Sequence, residues 1–338
     1  MKSTKVNRIG LLEAIQGVMP GTDSSGSSLS QSDCIVFKNQ VAYSFNDEVA
    51  VRADVPLAYE GAMDASKLLL VLQKLDEETI TMDILESKVK FRGKRREGTI
   101  AINPKIELPL SLIELPTRWR PTHPDLPEAL AVISRASGRD ENKYTLTCVH
   151  ITPKHVEASD NIQIMRWDME TGIRKKTLIA GHIANMLSRY NIVESGLTKG
   201  WIHFKDDKGL IFSVRTHEDE YPDMTPFLDI EGEAVTFPPD IGEASSRAAS
   251  FLSSTAEDEI LVSLHENKMV MESDSDMVQY KEDSRVDYSG PAISFYIHPQ
   301  ICGKLSKDAK DTIINSDRIK VTSDNWEYVA VLQSVGEE

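Results

Sequence analysis

Six stretches whose apolar residues recur at helical spacing open near residues 8, 64, 126, 179, 240 and 298, so successive helices start about 53 to 62 residues apart. Nothing else in the chain constrains its fold as tightly. After each helix come short alternating runs bounded by turn residues, such as Thr79 to Ile84, Lys88 to Arg92 and Gly98 to Asn103. One helix and a few strands therefore recur six times, and taken in pairs they give three similar domains, residues 1–115, 116–230 and 231–338. Each domain carries two helices packed on antiparallel sheet, an α+β architecture.

The fullest copy of the unit runs from Thr177 to Leu228. A helical stripe is predicted through Ile179, Ile183, Met186, Leu187 and Tyr190, with His182 and Arg189 off it. Strands through Trp201 to Phe204 and Leu210 to Val214 flank the turn Asp206-Asp207-Lys208-Gly209, and an irregular Pro-containing exit follows. Elsewhere, Asp64 is a good N-cap for a helix with Leu68, Leu69, Leu72 and Leu75 on one face. A third helix is predicted over 125–137 and a sixth over 299–307, with strands at 144–149 and 326–333. Five prolines between Ile106 and Pro127 predict a linker between domains.

Net charge is -15, from 38 basic and 53 acidic residues, which argues against a surface that attracts nucleic acid everywhere. The cations that matter are then those gathered in one place. Arg8, Lys67, Lys74, Arg135, Arg139, Arg189, Arg247, Lys304 and Lys307 lie on the helices or at their ends, mostly off the apolar stripes. If the helices share one side of a continuous sheet, these residues form a surface for phosphates that reads no base sequence. Lys94-Arg95-Arg96 is a further basic triplet in a turn, read as a solvated turn or an accessory phosphate contact.

Catalysis finds no such pattern. The chain has no HExxH, GxSxG, GxxxxGK[ST] or GxGxxG, and none of its eight histidines is expected to have an acidic partner at metal-ligand spacing. The expectation is a protein that is not an enzyme and holds no cofactor and no metal. A hydrolase using His182, His203 or His217 is the catalytic reading left open. Cys34, Cys148 and Cys302 are far apart and read as small buried residues. Without a run of about 18 apolar residues or the apolar core of a signal peptide, the chain is expected to be cytoplasmic and to contact no membrane.

Three stretches resemble the bacterial and phage sliding-clamp family, the processivity subunit of replicative DNA polymerases. Arg215 to Phe227, with Tyr221-Pro222-Asp223, is similar to the family's FPDY exit. Tyr144-Thr145-Leu146-Thr147 followed by Val156 to Ile164 resembles its strand pair ending in ATDGHRL, and Tyr328 to Leu332 resembles its closing strand. The resemblance implies three similar domains per chain and a ring of two chains, a homodimer whose helices line a hole for duplex DNA. It also implies a groove where the polymerase and the clamp loader insert short peptides. Matched position by position, that groove falls on Thr145, Leu146, Ser159, Ile162, Ile164, Pro222, Phe227, Val329 and Val331. The chain departs from the family at Asn161-Ile162-Gln163, where the family has Gly-His-Arg, so the peptide it prefers is open. The alternative is a clamp-fold binding or decoy protein that closes no ring on DNA.

Overall fold

Alternating runs in residues 2–215 assemble into one antiparallel sheet of twelve strands. The computed structural model describes residues 2–23, 29–252, 259–275, 278–297, 299, 302 and 309–332. These divide into two compact units, Met1–Ala131 with His150–Pro153 and Glu170–Asp219, and Val132–Val149 with Lys154–Met169 and Glu220–Glu338.

The first unit holds the twelve-stranded sheet. Its spatial order is Lys2–Asn7, Thr79–Ile84, Lys88–Arg92, Glu97–Asn103, Gly61–Asp64, Cys34–Lys38, Val41–Phe45, Val49–Asp54, Ile211–Arg215, Trp201–Asp206, Ile192–Thr198 and Arg120–Pro121. Val49–Asp54 and Ile211–Arg215 pair directly, with Val51 opposite Phe212, so the sheet runs unbroken from early to late sequence.

Helix α1 (Arg8–Val18) is capped by Asn7, which accepts from the Gly10 amide at 2.8 Å, and buries Leu11, Ile15 and Val18. Helix α2 (Ala65–Lys74) lies against α1 and is capped by Asp64, whose carboxylate accepts from the Lys67 amide at 2.9 Å. Helices α3 (Leu126–Ile133) and α4 (Gly181–Leu187) follow. The register shows that α1 and α4 cover the same side. The Ser44 hydroxyl donates to the Val18 carbonyl, Ser44 stands opposite Val51, and Val51 stands opposite Phe212. Tyr190, just beyond α4, rests on Phe212 with ring centroids 4.5 Å apart. At Gly17 a Cβ would come within 2.7 Å of Leu210, so α1 sits close down on the sheet there.

The opposite side is covered by the proline-rich segment. Val36, Phe45, Ala50, Ala62 and Trp201 form a buried cluster with Leu108, and Ile106, Leu110 and Ile113 pack against it. The stretch read as a linker is thus a lid of extended chain laid on the sheet. Ile106, Leu108, Leu110 and Ile113 supply the apolar cover, and farther along, the same segment adds the two-residue edge strand Arg120–Pro121.

In the second unit, His155–Ser159, Gln163–Asp168, Trp326–Val331, Arg318–Thr322, Asp311–Ile314 and Glu233–Ala234 follow one another as antiparallel neighbours. A separate sheet has the order Val278–Arg285, Lys268–Ser275, Ile260–His265 and Ile293–Ile297. Two further helices belong to this unit, α5 (Thr225–Leu228) and α6 (Ile241–Ala249). The Ser273 hydroxyl donates to the Ala248 carbonyl at 2.8 Å and seats α6 on the four-stranded sheet.

Several expectations change. The fourth helix starts at Gly181, and Ile179 belongs instead to a fully buried strand, Thr177–Ala180, which bridges to His217. The third helix ends at Ile133 and tightens into a 3-10 turn, Ser134–Ala136. Tyr144 to Thr147 form a 3-10 turn, not a strand; the Asp140 carboxylate accepts from the Asn142 amide in the turn before it, and non-helical Lys143 separates the two. Strand begins at Cys148. The exit after Tyr221 contains the short helix α5, opened by the Asp223 carboxylate accepting from the Thr225 amide at 3.0 Å. The predicted sixth helix lies outside the described residues except for 299 and 302, and Lys304 and Lys307 lie outside them as well.

Candidate functional site

Side chains alternate across a strand, so pairing register decides which groove residues share a face. Ser159 stands opposite Ile164, Ile164 opposite Val329, and the Val331 amide donates to the Ile162 carbonyl at 2.8 Å. Ser159, Ile162, Ile164, Val329 and Val331 therefore project from one face of three adjacent strands. Ser159, Ile164 and Val329 are sunk in it, whereas Ile162 and Val331 are 52% and 45% exposed.

Helix α5 is tied to this same face. Lys320, opposite Val329, donates from Nζ to the Leu228 carbonyl at 2.6 Å, and Arg166 Nη2 donates to the Thr225 hydroxyl at 3.3 Å. Phe227, 51% exposed, is carried on that helix, with the exposed Pro222 on the approach to it. Thr145 is half-buried and Leu146 buried in the 3-10 turn, which packs on the strand His155–Ser159. The face so built has two halves. One is apolar and partly open. The other is polar but neutralised: Arg166 donates twice to the Glu157 carboxylate, at 2.9 and 2.7 Å, and Lys320 pairs with Glu327 at 3.0 Å. A cluster of exposed apolar side chains on a sheet is what a soluble chain keeps for a partner.

Two supports of this face were not visible as such in the sequence. Asp160 accepts from the amides of Ile162 and Gln163, both at 2.9 Å, while Asn161 takes the left-handed φ of 80°. That turn fixes where Ile162 stands. Beneath it, Tyr221 is buried beside Glu157 and the Ser159 backbone, and burial pushes its phenol well above the ordinary range. The signal in the sequence was the Asp-Asn pair between two alternating runs.

The basic helix residues separate into two kinds. Arg8 is half-buried, with Nε donating to the Glu77 carbonyl at 2.7 Å and Nη1 to the Leu72 carbonyl at 3.0 Å, where a cation suits a helix C-terminus. Lys67 pairs with Asp64 at 2.7 Å, and Arg247 pairs with Glu282 at 2.6 Å and Glu243 at 3.9 Å. Lys74, Arg135, Arg139 and Arg189 are exposed and make no ion pair among the described residues. In the first unit, Lys74 and Arg189 belong to α2 and to the turn after α4, so both come from the helix layer of the sheet.

The histidines offered for hydrolysis do other things. His203 is fully buried, its ring between the Thr198 and Ser213 hydroxyls at 2.8 Å each and edge-on to Trp119. Burial pushes its pKa down to about 4, so it is a neutral, satisfied core residue that no substrate reaches. His182 is exposed and lies 2.9 Å from Glu48, whose carboxylate holds it above the usual imidazole range. His217 sits by the Leu178 strand bridge. Cys148 and Cys302 are buried, as expected, and Cys34 is partly so. Among the described residues no helix is long and apolar enough to cross a membrane.

Comparison with protein-family models and with curated proteins found no match. Solved structures do match. The DNA polymerase III subunit beta of Pseudomonas aeruginosa superposes with a TM-score of 0.81 at 16% identity, covering 99% of this chain and 100% of that one. The sliding clamp of Bartonella birtlesii, solved with griselimycin, gives 0.83 at 13% identity over 98% and 99% of the two chains. The Thermotoga maritima beta subunit gives 0.79 at 14% identity over 99% and 100%. The fold is that of the DNA sliding clamps. Within that class, the structures matched here are DNA polymerase III beta subunits of bacteria, and the likeness runs over nearly the full length of each.

Proposed function

We propose that this chain is a DNA polymerase processivity factor, a sliding clamp that encircles duplex DNA as a homodimer and tethers a replicative polymerase. What carries the proposal is the likeness to clamps over at least 98% of both chains in every comparison quoted. A fold kept end to end at such low identity implies that the whole architecture is under selection, as a ring requires. The chain then comprises three clamp domains, residues 1–115, 116–230 and 231–338. It performs no reaction, acts where replication occurs in the cytoplasm, and needs a separate loader to open it.

In this reading Lys74, Arg135, Arg139 and Arg189, with Arg8, Lys67, Arg247, Lys304 and Lys307, face the DNA backbone. Loose phosphate contacts hold without reading sequence, so the ring slides. The open apolar half of the sheet face, Ile162, Val331 and Phe227 above Ile164 and Val329, takes hydrophobic anchors of polymerase and loader peptides, with Thr145, Leu146, Ser159 and Pro222 at its borders.

Topology provides the test. Loaded on a circular duplex by a bacterial clamp loader with ATP, the protein is expected to stay bound through gel filtration and to leave once the circle is linearised. Equal retention on circle and linear DNA, or a monomer by ultracentrifugation at micromolar concentration, would overturn the ring and favour the decoy reading.

A further inference from the structure

The open apolar face at Ile162, Val331 and Phe227 accounts for hydrophobic anchors but leaves the charge of their carrier unstated. Register supplies it. Glu157, Arg166 and Glu327 stand side by side on three adjacent strands, and Lys320 pairs with Glu327 at 3.0 Å. Glu157 is fully occupied, one oxygen by Arg166 and the other by His155 at 3.3 Å. Arg166 and Lys320 are also the two cations tied to helix α5 among the described residues, through the Thr225 hydroxyl and the Leu228 carbonyl. Their side chains are only 12% and 17% exposed. Two carboxylates and two cations balance, and neither cation is left for a partner.

Asp223 upsets the balance. Its exposed carboxylate opens α5, feels the charges of both Arg166 and Glu157, and makes no ion pair among the described residues. The Thr225 hydroxyl and amide hold that carboxyl below the ordinary range, so it is charged at neutral pH. Asp229, exposed and also without an ion pair among the described residues, stands two residues beyond Phe227 at the other end of α5. No relief comes from the chain nearby: between Arg215 and Arg247 there are nine Asp and Glu and no Lys or Arg. Beside Val331 the charge is cancelled, Arg318 lying 3.7 Å from Asp317. At the far border the signs are mixed, with exposed Arg139 and Lys143 near Asp160 and Asp140. The α5 end of the face is therefore where negative charge is left over. We propose that the groove selects short peptides in which a lysine or arginine accompanies the hydrophobic anchors, the cation meeting Asp223 and Asp229 beside Phe227. The inference rests on the groove reading for its site and adds the charge of the peptide that fits it.

Two labelled synthetic peptides test this, sharing leucine and phenylalanine anchors, one flanked by two lysines and the other by two glutamates. By fluorescence anisotropy against the full chain at low salt, the lysine peptide is expected to bind at least about fivefold more tightly. The ratio is expected to shrink as salt is raised past about 0.5 M. Asp223→Asn with Asp229→Asn keeps an oxygen to accept from the Thr225 amide. This variant is expected to bring the ratio to about 1 to 2, by weakening the lysine peptide and not the glutamate one. Equal weakening of both peptides would give the two carboxylates a merely structural role and overturn the proposal. So would a parent ratio of about 1 or less with both peptides lost in Phe227→Ala with Val331→Ala, an outcome that leaves the groove standing. Binding of neither peptide would remove the groove reading and the charge preference with it.

Discussion

Two sheet faces in this molecule start from the same alternation of apolar residues and finish differently. On the twelve-stranded sheet, Val51, Phe204 and Phe212 face a layer that includes an eleven-residue helix, and none is more than 1% exposed. On the strands Gln163–Asp168 and Trp326–Val331 the cover is a four-residue helix, and Ile162 and Val331 remain about half open beside Phe227. The first face spends its apolar surface on folding and the second holds some of it back. The difference teaches that apolar character alone does not mark a site, whereas apolar character left uncovered by the neighbouring element does.

The sharpest way to break that comparison is to cut into each face and measure stability. Ile15→Ala, at a position with no exposed surface, is expected to cost about 2–5 kcal/mol in denaturant unfolding. A cost below about 1 kcal/mol would mean the helix layer is loosely packed and the contrast false. The reverse side of the same sheet can be probed by pH. His203 has its folded pKa lowered to about 4 from an ordinary 6.5, so its contribution is complete above about pH 6.5 and is lost as pH falls toward 4. The loss is expected to be on the order of 3 kcal/mol in a His203-dependent part of the acid limb. A stability profile flat between pH 6.5 and 4.5, compared with a His203→Gln variant, would show that the imidazole is not buried neutral.

Smaller effects sharpen the contrast. Asp64→Ala removes the α2 cap and is expected to cost about 1 kcal/mol, seen as a lowered thermal midpoint. Least of all on stability, Phe227→Ala with Val331→Ala should change the unfolding free energy by no more than about 0.5 kcal/mol each, because both side chains are already half in water. The same pair is expected to weaken binding of a polymerase-derived peptide at least about tenfold by calorimetry, with the dimer intact. Peptide binding equal to that of the parent chain would remove the groove assignment and leave the open face without a use.

Legibility in the sequence followed how local each decision was. Helix α2 could be read because its cap and its stripe at Leu68 and Leu72 lie within ten residues, and the Asp206–Gly209 turn could be read because Asp206 accepts from the Lys208 and Leu210 amides it precedes. Ile179 fits a helical stripe by spacing. Its place in a sheet, together with the bridge from Leu178 to His217 far along the chain, makes it strand. The proline-rich segment looked like a linker because proline punctuates, and nothing local tells that Leu108 will find Phe45 and Trp201. For the candidate site, family resemblance picked out residues that chain spacing could not. Ile162 and Ile164 alternate as any strand does, and which of them is covered depends on α5 and on a turn at Asn161. Whether a helix cation is free or engaged was equally out of reach, since Arg247 and Arg189 look alike until Glu282 is seen beside one of them.

The pairing of Val49–Asp54 with Ile211–Arg215 also sets a timetable. While the chain is being made, the strands up to Asn103 can fold well before residue 215 leaves the ribosome. Synthesis of the intervening stretch, about 110 residues, takes roughly 6 to 20 seconds. For that interval Val49, Val51 and Ala53 form the bare edge of a nascent sheet, open to any other growing strand. Arg52 and Asp54, set between and after those residues on the edge, are the charges that guard it until its own partner arrives.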